Sequence, residues 1–84
     1  MRFIASSAFK RRAKKLKEPQ ASMLTAALRR FARDPQDPLL RTHKLKGELA
    51  SYWAFSVDAD LRVLFRWEGN EALLVSLGSH DEAY

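Results

Sequence analysis

The chain has no cysteine. That excludes a disulfide framework and every thiolate-based chemistry, and it fits a reducing cytoplasm. Glycine and proline are scarce, three of each, and no Pro- or Gly-rich linker, internal repeat or low-complexity segment divides the chain. One domain over residues 1–84 is expected. No apolar run approaches the roughly 18 residues that span a bilayer, so no membrane association is expected. The short apolar piece at the N-terminus precedes its charges, the reverse of a secretory signal. An acid-poor, Arg/Lys-rich start also fits a transit peptide, but Phe3 and Ile4 read as strand residues. There are only two histidines, His43 and His80, and two histidines with scattered carboxylates make a weak case for zinc. A Gly-rich phosphate loop and a G-x-S-x-G elbow are both absent. Neither a metal nor a cofactor is expected.

What is present is apolar content of 46% with nine aromatics in 84 residues. A chain of this size buries roughly 60% of its unfolded surface, enough for one modest core. The formal charge is +5, and its distribution says more than its sum. Residues 1–46 carry a net of +10 and residues 47–84 a net of −5. Such asymmetry suggests a polyanionic partner, nucleic acid above all. The plainer alternative is a well-solvated helical surface.

Periodicity assigns the elements. Met1 to Ala5 reads as a short strand. Ser6 or Ser7 can cap a helix in which Phe9, Ala13 and Leu16 form one apolar stripe. Lys10, Arg11, Arg12, Lys14, Lys15 and Lys17 occupy its other faces, and Glu18-Pro19 is expected to end it. A second helix runs from Pro19 or Gln20 to Ala32, with Met23, Leu24, Ala27, Leu28 and Phe31 inward. A short edge strand around His43 to Lys46 is broken by Gly47-Glu48. Tyr52 to Val57 and Leu61 to Trp67 alternate about an Asp58-Ala59-Asp60 turn. Glu68-Gly69-Asn70 turns into a last strand, Leu73 to Leu77, which is expected to break at Gly78-Ser79. The fold class is therefore α+β in the order β-α-α-β-β-β-β, a two-helix hairpin on a mostly antiparallel sheet.

The candidate chemistry lies on the sheet face turned away from the helices. Period-two alternation puts Arg62 and Arg66 there, with room for His80 past the last strand. Such a face, open and positive, suits an RNA backbone. Alternatively, the arginines only pair with Glu71, Glu82 or Asp58. Histidine transfers protons near neutral pH, and arginine binds phosphate and stabilises its extra charge. Without a thiol, acid–base chemistry on a bound polyanion is what the residues allow.

Three stretches carry a family resemblance: RTHKLKG (41–47), YWAFSVDADLRVLFRW (52–67) and LLVSLGSHDEAY (73–84). Together with size and element order they resemble the RelE/ParE superfamily of type II toxins, nearest its YafQ-like branch. The resemblance implies a ribosome-dependent, metal-independent endoribonuclease, an mRNA interferase that arrests growth. It also implies a cognate antitoxin partner, contacts to ribosomal RNA and mRNA, and oligomers formed only through the antitoxin. By the same resemblance His43, Asp60, His80 and Tyr84 match catalytic positions, and Arg62 falls at or near the arginine used on the scissile phosphate. Arg66, Lys44, Lys46, Lys10, Arg11, Lys14 and Lys15 are the expected RNA contacts. One further histidine of the YafQ-like pattern is replaced here by Ser56. The alternatives are a ParE-like toxin acting on DNA gyrase without nuclease activity, and an inactive relative that only binds an antitoxin.

Overall fold

The computed structural model describes residues 2–79. Strand β1 (Phe3–Ala5) leads into helix α1 (Ser7–Lys14) and helix α2 (Gln20–Arg33). Strands β2 (His43–Lys44), β3 (Trp53–Ser56), β4 (Leu61–Glu68) and β5 (Glu71–Ser79) follow. They form a single five-stranded sheet in the order β1-β5-β4-β3-β2. Only the β1–β5 pairing is parallel, because the helical hairpin carries the chain across the sheet between β1 and the meander.

Helices and sheet meet through one apolar cluster. Phe9 from α1 and Leu24, Ala27 and Phe31 from α2 pack on Phe55, Val63, Phe65, Leu74 and Leu77 of the sheet. Phe31 is fully buried. Its ring stacks on Phe55 at 4.6 Å and meets the edge of Phe65 at 4.8 Å, both favourable aromatic geometries. The stripe expected from Phe9, Ala13 and Leu16 is the one that faces the core.

The ends of the elements depart from the expected ones for local reasons. Helix α1 stops at Lys14, four residues short of Glu18. Lys15 N–H and Leu16 N–H bond back three residues, to the Arg12 and Ala13 carbonyls, which tightens the last turn. The chain needs the intervening residues to reverse into α2. Glu18 serves the second helix instead of ending the first. Its carboxylate accepts the Ser22 N–H at 3.0 Å, and the Ser22 hydroxyl and N–H hold the Glu18 pKa below its ordinary value.

At the other end, β5 does not break at Gly78-Ser79. Gly78 pairs with Arg62 and Ser79 with Leu61, so the ladder to β4 holds the strand together through the glycine. The register slips between Leu64 and Phe65, leaving Val75 as an extra residue in β5. Ser6 exploits that bulge. Its hydroxyl accepts the Phe9 N–H at 3.1 Å as the α1 cap and donates to the Val75 carbonyl at 2.8 Å. Gly69 opens the two-residue β4–β5 turn with φ +64°, a conformation such hairpins require and side chains resist. The edge strand β2 is only two residues long, because the chain turns at Gly47–Leu49. No helix among the described residues is long and apolar enough to cross a membrane.

Candidate functional site

On the sheet face away from the helices, cross-strand register defines three adjoining rows. His43, Ala54, Leu64 and Ser76 lie in one. Ser56, Arg62 and Gly78 lie in the next, and Ile4, Leu73 and Arg66 lie on the other side. Arg62 and Arg66 therefore flank the row that His43 begins. Two strand spacings and one row separate the Cα atoms of His43 and Arg62 by about 12 Å, a span that two long side chains can close over one phosphodiester. The face is less open than expected: Ala54 and Leu64 are buried there and Arg62 is half-buried.

The two arginines are held differently. One guanidinium nitrogen of Arg62 donates to the Ser56 hydroxyl at 3.0 Å and to the Asp58 carbonyl at 3.3 Å. These acceptors are neutral, so Arg62 is positioned while its charge stays available to an anion. Arg66 forms an exposed ion pair with Glu68 at 2.9 Å. That contact pushes its pKa further up, with a smaller contribution from Tyr52. Solvent screens such a pair, and exchange for a phosphate costs little. Of the partners anticipated for the two arginines, Glu71 lies 3.5 Å from Arg2 instead, and Asp58 offers Arg62 its carbonyl rather than its carboxylate.

His43 is exposed at the sheet edge, and its Nδ1 lies 2.9 Å from the Arg41 carbonyl oxygen. A carbonyl only accepts, so Nδ1 carries a proton, and Nε2 makes no hydrogen bond among the described residues. Arg41 holds that carbonyl in place from a left-handed backbone, φ 52°, at the end of a 3₁₀ turn over Pro38–Leu40.

Asp58 organises the β3–β4 turn. Its Oδ1 accepts the Asp60 and Leu61 N–H groups at 2.8 and 2.6 Å, and its Oδ2 accepts Gln20 Nε2 at 3.1 Å. The Leu61 N–H is the largest of several influences that lower the Asp58 pKa, followed by Gln20, Asp60 and, more weakly, Arg62. Sequence reasoning saw Asp58 only as a turn residue or an arginine partner; the aspartate two positions before an N–H-rich turn was the available signal.

The turn also separates two of the expected site residues. Asp60 lines a cleft of about 420 Å³ on the helix side, with Arg12, Lys15, Leu16, Gln20 and Ser79. Arg62 lines another, of about 310 Å³, with Leu39, Arg41, Ser56 and Asp58. Lys10, Arg11, Lys14 and Lys15 are all exposed along α1, and Lys44 and Lys46 are exposed beside His43. His80 and Tyr84 lie outside the described residues. Among the described residues no group of three or more His, Asp or Glu side chains is placed to hold a metal ion.

No family model matches the sequence, and no curated protein matches it. Solved structures do match. A YoeB/ParE toxin from Agrobacterium tumefaciens superposes with a TM-score of 0.79 at 19% identity, over 95% of this chain and 99% of that one. The chain shares the fold of the RelE/ParE-like toxins. YafQ from E. coli gives 0.73 at 16% identity over 96% of both chains. The YoeB–YefM complex from Staphylococcus aureus gives 0.76 at 15% identity, over 95% of this chain and 97% of the matched one.

Proposed function

We propose that this protein is the toxin of a type II toxin–antitoxin pair and a metal-independent endoribonuclease that cleaves mRNA on the ribosome. The observation that carries the reading is the outward sheet face. It sets a histidine whose Nε2 has no partner among the described residues beside a row containing an arginine whose guanidinium is held by neutral acceptors. The likeness in fold to YoeB and YafQ toxins supports it, and the YoeB–YefM complex is the precedent for an antitoxin partner.

The chemistry needs three services. A base removes the proton of a 2′-OH, whose oxygen attacks the adjacent phosphorus. A cationic clamp stabilises the charge that develops on the phosphate. An acid returns a proton to the departing 5′-oxygen. His43 and His80 divide the two proton transfers, each contributing roughly 10²- to 10⁴-fold. Arg62, aided by Arg66, clamps the phosphate, and Asp60, which lines the cleft on the helix side of the turn, has no part in that step. Tyr84 stacks on a neighbouring base, worth about 1–3 kcal/mol. The products are a 2′,3′-cyclic phosphate and a 5′-hydroxyl.

The test is translation-coupled mRNA cleavage by the purified chain, run beside a gyrase supercoiling assay. Cleavage with a 2′,3′-cyclic terminus, abolished by His80→Ala, is the expected result. Inhibition of supercoiling without cleavage would replace this reading by the gyrase-directed one. Inactivity in both assays, with an antitoxin still bound, would leave an inactive relative.

A further inference from the structure

The cleft beside Arg62 contains residues that the reading above leaves unused. Leu39 is 68% exposed, the most exposed large apolar side chain among the described residues. Its neighbour Leu40 is buried, so the 3₁₀ turn anchors on one leucine and presents the other. Two residues on, Arg41 occupies a left-handed backbone conformation that glycine would adopt more cheaply. Its exposed guanidinium makes no hydrogen bond or ion pair among the described residues. Strained backbone of this kind collects at functional sites.

Leu39, Arg41, Ser56 and Arg62 line one cleft of about 310 Å³, at the small end for ligand sites. Asp58 is in its wall, but both carboxylate oxygens are already occupied by Asp60, Leu61 and Gln20. Two guanidinium groups against one satisfied carboxylate leave a single positive charge to be balanced. A phosphodiester carries one negative charge. The apolar wall of Leu39 and the flat guanidinium of Arg41 suit the face of an unstacked base, which proteins hold by such contacts in single-stranded RNA.

We propose that this cleft is a nucleotide subsite of the RNA strand, in which Arg41 and Arg62 share one phosphate and Leu39 packs against the attached base. The proposal deepens the ribonuclease reading and rests on it for the identity of the strand. Arg41 then has two roles at one position. Its carbonyl fixes the His43 tautomer and its side chain fixes the substrate. Leu39 and Arg41 become determinants of which nucleotide lies beside the cut.

The test separates those roles. Arg41→Gly keeps the left-handed backbone and its carbonyl while removing the guanidinium, and its thermal midpoint should equal or exceed that of the parent. Binding of a labelled, non-cleavable 2′-O-methyl RNA hexamer is followed by fluorescence anisotropy across a salt series. Arg41→Gly should bind about tenfold more weakly and flatten the salt slope by about 0.7, the value for one lost phosphate contact on a single strand. Leu39→Asp should also weaken binding, and Arg29→Ala on the far helix should not. Hexamer affinity and salt slope unchanged in both Arg41→Gly and Leu39→Asp would overturn the proposal, as would preference for an acidic peptide over the hexamer. Cleavage that persists in Arg41→Gly with the same choice of site would remove the subsite and leave the ribonuclease standing. Loss of hexamer affinity in a chain that never cleaves mRNA would do the reverse.

Discussion

The imidazole of His43 donates its Nδ1 proton to the carbonyl oxygen of Arg41, 2.9 Å away. This bond leaves Nε2 as the nitrogen for the proposed proton transfer. His43→Ala should lower the cleavage rate about 10²- to 10⁴-fold while leaving the thermal midpoint almost unmoved, since the side chain is exposed. His43→Gln should fail equally, because an amide can bond the carbonyl but cannot take the proton. Single-turnover cleavage of mRNA measures both. A His43→Gln protein of near-parental rate would move the base elsewhere.

Asp58 makes stability depend on acid. Its pKa in the folded protein lies below the ordinary 3.8, so the folded state binds its proton less readily than the unfolded chain. The stabilisation is complete above the unfolded value and is lost as pH falls through the folded one. Asp58→Asn should therefore be less stable than the parent at pH 7. The difference should shrink as pH falls below about 4. Urea denaturation at several pH values reads it directly, and a constant gap down to the lowest pH would deny Asp58 this role.

Ser6 joins the first helix to the bulge in β5, by one accepted and one donated hydrogen bond. Ser6→Ala removes the cap and leaves the half-buried Val75 carbonyl without the hydroxyl. The cap alone is worth about 0.5–2 kcal/mol. Ser6→Asp can restore the cap but not the donation, so it should recover only part of the loss. Equal stability of Ser6→Asp and the parent, by urea unfolding, would show the Val75 contact to be energetically silent.

The fold was legible where burial follows a simple period. Phe9, Ala13 and Leu16 at helical spacing and Leu61, Val63, Phe65 and Trp67 at strand spacing each specify one face, and both faces meet in the core. Ends were legible only where a local residue sets them, as Gly69 does. The β5 terminus depends on a ladder to Arg62 and Leu61, distant in sequence, so Gly78 looked like a break. The site was half legible. Alternation placed Arg62 and Arg66 on the outward face, but nothing in RTHKLKG revealed that Arg41 turns left-handed and holds His43. Nor did DAD show that Asp58 would bind the turn while Asp60 lined the opposite cleft. Those are matters of backbone conformation that residue type constrains weakly.

The exposed basic face of α1 gives a test of ribosome docking that is separate from the proposed cleavage. Lys10, Arg11, Lys14 and Lys15 lie on the helix surface and have no ion pair with a described residue. All four are exposed, so their removal should not unfold the chain. Counterion release makes each phosphate contact visible as a slope in salt. Replacing all four by glutamine should weaken binding to ribosomes and flatten its salt dependence, while affinity for the non-cleavable hexamer changes far less. Arg41→Gly should show the complementary pattern, weak on the hexamer and nearly parental in the salt slope for ribosomes. Sedimentation of ribosomes with the protein, at increasing salt, compares them. If the glutamine variant binds ribosomes as tightly and with the same salt dependence as the parent, α1 is a solvated surface and the docking charge lies elsewhere.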